Sequence, residues 1–105
     1  MSRFTLSREA ERDLETISDY TVRTWGAAQA RRYLNDIYHA IDAVAKNPKL
    51  GHLHPDIPAP YLVVASGKHL IVYRVDGAHI LVHYVPHSAM DLEARISSIL
   101  RPSGD

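Results

Sequence analysis

The chain predicts an α+β fold in which a helical hairpin covers one face of a small antiparallel sheet. Three observations predict it. Apolar residues recur at helical spacing from Ala10 to Val44, with a single break at Gly26. Two apolar runs, His69–Val75 and His79–Val85, flank Asp76-Gly77, a dipeptide suited to a type I′ hairpin turn. A third run, Tyr61–Ala65, precedes Ser66-Gly67, so the segment reads as a three-stranded meander that must bury one face against the helices. With 105 residues this is one domain, 1–105.

Taken in order, Phe4–Leu6 is a short extended piece expected to add an edge strand, giving a sheet of three to four strands. Ser7 is a suitable N-cap, and Glu9 and Glu11 place negative charge in the first turn, where the helix dipole favours it. Ala10, Leu14, Ile17, Thr21 and Trp25 form the first helical stripe. Gly26 ends that helix, and Ala27, Ala30, Leu34, Ile37, Ile41 and Val44 form the next stripe. Asn47-Pro48 stops it, because a residue before proline disfavours the α region. Two helices joined at one glycine make an antiparallel hairpin. Residues 49–60, with three prolines and Gly51, read as a surface loop. Ser88 with Asp91 offers a start for a short C-terminal helix carrying Leu92, Ile96 and Ile99.

If Asp76 and Gly77 are the two loop residues, Val75 faces Ala78, and the pairs run from Arg74/His79 to His69/Tyr84. One face then collects Ile71, Tyr73, Val75, Ile80, Val82 and Tyr84 and suits packing on helices. The other collects Leu70, Val72, Arg74, His79, Leu81, His83 and Val85, and is the expected working surface. Its apolar members, Leu70, Val72, Leu81 and Val85, need a cover. That cover is either the C-terminal helix or a partner.

Composition narrows the chemistry. Twelve basic and twelve acidic residues cancel, which counts against a protein whose main task is gripping phosphate backbones. There is no Cys, so disulfides and thiolate metal sites are excluded. His52 and His54 stand two apart in the loop without further ligands at usual spacing, so no metal and no cofactor is expected. The N-terminus has no apolar leader and no run is long enough to span a membrane, which makes cytoplasm the default. Arg74, His79, His83 and His87 would supply a cation and imidazoles for acid–base work if the hairpin gathered them. The competing reading is an ordinary cross-strand Arg74/His79 pair and a bracing His87. No phosphate loop, nucleophile elbow or paired-carboxylate motif is present.

Several residues carry a resemblance when taken together: Leu6-Ser7, Ala10, Asp13-Leu14, Trp25-Gly26, Gln29-Ala30, Tyr33, Asn47-Pro48, Gly51, Gly67, His69, Tyr73-Arg74, His87 and Met90-Asp91. In this order and spacing they resemble the ParE branch of the RelE/ParE superfamily of bacterial toxin–antitoxin systems, over nearly the whole chain. The resemblance implies a helical hairpin on an antiparallel sheet. It also implies a toxin neutralised by a ParD-like antitoxin, for which Leu70, Val72, Leu81 and Val85 are the expected contact, and DNA gyrase as target, blocked without catalysis. Direct sequence-specific DNA reading is not expected of the toxin. The rival branch, RelE, cuts ribosome-bound mRNA; on that reading Arg74, His83 and His87 are the catalytic candidates. The chain lacks that branch's cluster of lysines and arginines, and Ser88-Ala89 stands where an acid or base would follow His87.

Overall fold

A computed structural model describes residues 4–55 and 57–87. Strand β1 (Phe4–Leu6) leads into helices α1 (Arg8–Trp25) and α2 (Ala27–Lys46). A 3₁₀ turn at Pro48–Leu50 follows, then β2 (Leu62–Ser66), β3 (His69–Asp76) and β4 (His79–Tyr84). The sheet order is β1-β4-β3-β2, with β1 parallel to β4 and the other pairs antiparallel. The α+β architecture and the edge position of Phe4–Leu6 are as expected. The C-terminal helix expected from Ser88 lies outside the described residues.

Local chemistry explains the hairpin of helices. Ser7 caps α1, its Oγ accepting from the Ala10 N–H at 3.0 Å. Gly26, at φ 94°, is the single joint between α1 and α2. Asn47 leaves helical geometry at φ −142°, ahead of Pro48. Ala10, Leu14, Ile17, Ile37, Ile41 and Val44 bury their side chains against Ile71, Tyr73, Ile80 and Val82 of the sheet. Trp25, placed on the α1 stripe from spacing alone, is 69% exposed, because the helix has by then run past the sheet. Ala27 is exposed for the same reason, at the opposite end of the joint.

Tyr73 ties the core to the turn after α2. Its hydroxyl donates to the Pro48 carbonyl at 2.7 Å and accepts from the Gly51 N–H at 3.0 Å. Any Cβ at position 51 would overlap that phenol, so glycine is required there by close approach. Burial pushes the Tyr73 phenol above its usual pKa, and the Gly51 hydrogen bond opposes this in part.

The hairpin register differs from expectation. Asp76 pairs with His79, Val75 with Ile80 and Arg74 with Leu81, so the loop is Gly77-Ala78 rather than Asp76-Gly77. Gly77, now the first loop residue, takes φ 64°, the positive value that a tight hairpin turn needs there and that glycine adopts without strain. The shift is two residues, an even number, so face membership near the turn survives it. A second departure does not preserve the faces. Tyr73 pairs with Val82 but Val72 pairs with Tyr84, so His83 is an extra residue, a β-bulge. Beyond it the faces exchange. Val85, expected beside Leu70, is 2% exposed and belongs to the helix-packed core, while Tyr84 moves to the opposite face.

Candidate functional site: the second face of the sheet

The face turned away from the helices carries Val63 from β2, Leu70, Val72 and Arg74 from β3, and Leu81, His83 and Tyr84 from β4. One end is roofed by the loop: Ile57 is buried against Val63 and Val72, with Tyr61, Leu70 and Tyr84 around them. The prolines of this loop forbid regular structure. They do not prevent Ile57 from acting as a core residue, and the pairing of His52 with Val63 stitches the loop to the outer edge of β2. Leu70, Arg74, Leu81, His83 and Tyr84 remain half-buried, neither covered nor fully open.

The bulge shapes this face. In a regular strand neighbouring side chains point to opposite sides. Here the His83 and Tyr84 rings stack, with centroids 4.4 Å apart and planes 16° apart. Tyr61 joins them, its hydroxyl 3.1 Å from His83 Nδ1. The backbone groups that a bulge removes from the ladder are taken up by the start of α1. The Ser7 N–H donates to the Val82 carbonyl at 2.9 Å, the Ser7 hydroxyl donates to the His83 carbonyl at 2.6 Å, and the Val85 N–H donates to Asp13 Oδ2 at 2.9 Å. Ser7 therefore has two tasks, capping α1 and holding β4.

Of the three catalytic candidates, Arg74, paired with Leu81, and His83, the bulged residue two positions on, share this face. His87 does not join them. It bridges His69 at the far end of β3, roughly 16 Å along the strand from Arg74, and its ring packs edge-on to His69 with centroids 5.0 Å apart. His69 is held in turn by Tyr33, whose hydroxyl lies 2.6 Å from Nδ1 and also accepts from the Lys68 N–H at 3.0 Å. His79 is exposed beside the turn. Among the described residues no group of three or more His, Asp or Glu side chains is placed to hold a metal ion. No described helix is long and apolar enough to cross a membrane.

Sequence reasoning missed Ile57, Tyr61 and Tyr84 as parts of this face. Ile57 had one available signal, a β-branched residue among prolines. The bulge had none, because both of its registers bury apolar residues.

The fold is an α+β domain, two helices on one face of a four-stranded sheet. It superposes on a chain of the structure titled "Chromosomal ParDE TA system from P. aeruginosa" with a TM-score of 0.72 at 20% identity, covering 84% of this chain and 97% of that one. Sequence carries the comparison further. The chain is 38% identical over 96 residues to Toxin ParE1 of Mycobacterium tuberculosis, covering 90% of this chain and 98% of the relative. It is 33% identical over 96 residues to Toxin ParE1 of Caulobacter vibrioides, covering 91% and 99%. Residues 4–92 match the family described as "ParE toxin of type II toxin-antitoxin system, parDE". The chain belongs to the ParE toxin family of type II toxin–antitoxin systems.

Proposed function

We propose that this toxin inhibits DNA gyrase, blocking replication, and is neutralised when a ParD-like antitoxin lays a segment on the second face of the sheet. The observation that carries the antitoxin reading is the half-covered apolar surface around Leu70 and Leu81, beside the Tyr61–His83–Tyr84 ring cluster. An apolar sheet face of this kind suits an extended peptide whose alternate side chains enter it. Val72 contributes from beneath the loop, not as an exposed contact. Val85 faces the helices and is not part of the seat.

A protein-binding mode of action is favoured over RNA cleavage by the spacing of the candidates. General acid–base catalysis needs both groups within hydrogen-bond reach of the reacting atoms. His87 stands roughly 16 Å along β3 from Arg74. His83 is engaged with Tyr61.

The test pairs two assays. Purified toxin is added to gyrase with relaxed plasmid, with and without the ParD-like antitoxin, beside an mRNA-cleavage assay on translating ribosomes. Loss of supercoiling with trapped cleaved DNA, reversed by antitoxin, supports the proposal. Codon-positioned cuts in mRNA with gyrase unaffected would replace it with the ribonuclease reading.

A further inference from the structure

Arg74 is half-buried on the second face of the sheet, opposite Leu81 on β4 and one residue past the last β2 pair, Leu62 with Tyr73. Its guanidinium carries five N–H donors and keeps its charge throughout the physiological pH range. Among the described residues no carboxylate lies within ion-pair distance of it, and no hydrogen bond or ring contact engages it. Asp76, two residues on and on the same side by strand alternation, stands beyond that distance and is exposed beside the turn. Half-burial without a partner is what a stem lying along the sheet, with its charged head in water, produces.

The neighbours of Arg74 make that hydration matter. Leu81 across the ladder and Leu70 further along β3 are half-buried and apolar, and the Tyr61, His83 and Tyr84 rings share the face. A partner that buries Leu81 also strips water from Arg74, because the two are a directly opposed cross-strand pair. A charge taken out of water without a counter-charge is strongly unfavourable. Among the described residues the chain offers no counter-charge, so the partner has to bring it.

We infer that the antitoxin segment seated on this face carries an Asp or Glu side chain that pairs with Arg74, beside an apolar side chain that covers Leu81. Resting on the antitoxin seat proposed above, this pairing adds the chemistry that its occupant must have. In an extended segment, side chains on one side recur every second residue, about 7 Å apart. A carboxylate and an apolar group two residues apart therefore serve Arg74 and the leucine–ring surface together. The guanidinium fork donates two parallel hydrogen bonds to one carboxylate, which fixes the segment's register as well as its affinity. A phosphate backbone fits worse, since it would repeat its charge past a single cation, across Leu81 and toward Asp76.

The test measures by calorimetry the affinity of the full toxin for its ParD-like antitoxin. Arg74→Gln, Arg74→Glu and Leu81→Ala toxins are compared with the parent, and each Asp and Glu of the antitoxin is changed singly to Asn or Gln. Arg74 has no partner in the free toxin, so its variants should keep the parent's thermal melt. Expected is an affinity loss of about thirtyfold or more for Arg74→Gln, and a larger one for Arg74→Glu. One antitoxin acid-to-amide change gives a similar loss and adds little further to Arg74→Gln, while most of its effect persists against Leu81→Ala. Binding of the parent also weakens more steeply with added salt than binding of Arg74→Gln.

Full affinity in Arg74→Gln with weakened binding in Leu81→Ala would overturn the inference and leave the seat standing. Full affinity in both would overturn the seat and the pairing with it. A loss on Arg74→Gln that couples to no single antitoxin carboxylate would overturn the pairing. Salt-sensitive binding of the parent toxin to a single-stranded RNA oligonucleotide, lost in Arg74→Gln while antitoxin affinity holds, would assign the guanidinium to phosphate instead.

Discussion

The two faces of the sheet are built from the same three long strands and behave as two kinds of surface. The helix-packed face is closed: Ile71, Tyr73, Ile80 and Val82 are fully buried, and α1 and α2 supply the facing stripe. Among the described residues the opposite face is closed only at one end, by a loop with no regular structure, and thins to half-buried Leu70, Arg74 and Leu81. Burial on the first face holds wherever the two amphipathic helices lie over it and stops at Val75, expected to pack on the helices but 48% exposed beside the turn. On the second it depends on Ile57 and Tyr61 from one proline-rich segment. The first face should therefore set stability and the second should set association.

Neighbouring residues of β4 test that division most sharply. Ile80→Ala should cost about 2–5 kcal/mol in urea or thermal unfolding, since it opens a cavity at a fully buried position. Leu81→Ala, one residue on and facing the other way, should cost about 1 kcal/mol or less while weakening antitoxin binding measurably by calorimetry. Equal stability losses at the two positions would break the comparison.

Tyr73→Phe comes next. It strands the Gly51 N–H and the Pro48 carbonyl and should cost about 1–3 kcal/mol. The same phenol makes a pH prediction. Its pKa is raised on folding, so the folded state holds the proton more tightly than the unfolded chain. The associated stability is present below the ordinary phenol pKa of about 10 and is lost as pH rises above it. Unfolding curves taken between pH 9 and 11, as about that range, should fall more steeply for the parent chain than for Tyr73→Phe.

Asp13→Ala removes the acceptor of the Val85 N–H just beyond the bulge and should cost about 1–3 kcal/mol. Its more telling effect is on the second face, where the His83–Tyr84 stack depends on the bulge. Ring-proton shifts of those two residues in NMR spectra should move in this variant. Ser7→Ala is expected to be the mildest, about 1 kcal/mol for the lost cap, with loss of the hydroxyl bond to the His83 carbonyl shown by the same shifts.

Legibility in the sequence divides along the same line. The helical hairpin was readable because its signals are local: Ser7 to begin, Gly26 to join, Asn47-Pro48 to end. The edge strand Phe4–Leu6 and the family resemblance were readable too, the latter from spacing spread over the chain. The hairpin register was not, because Asp76-Gly77 and Gly77-Ala78 are both acceptable loops, and only the pairing of the whole ladder selects the second. The bulge at His83 is less legible still. It is held by Ser7 and Asp13, more than seventy residues away, and no local pattern reports such a bond. For that reason Val85 was placed on the wrong face and Tyr84 with it. Trp25 shows the converse error: helical spacing finds a stripe but not where the surface beneath it stops.

The parallel pairing of β1 with β4 also bears on how the protein is made. Phe4 is synthesised roughly 75 residues before its partner Ile80, a delay of about 4–15 s at bacterial-scale synthesis rates. The clamp of Ser7 on Val82 and His83 waits equally long. The hairpin of helices has only local contacts to wait for and forms early, whereas the sheet closes last. The nascent domain is thus held incomplete until β4 has been translated, an interval in which a partner already present meets a half-built toxin before a finished one.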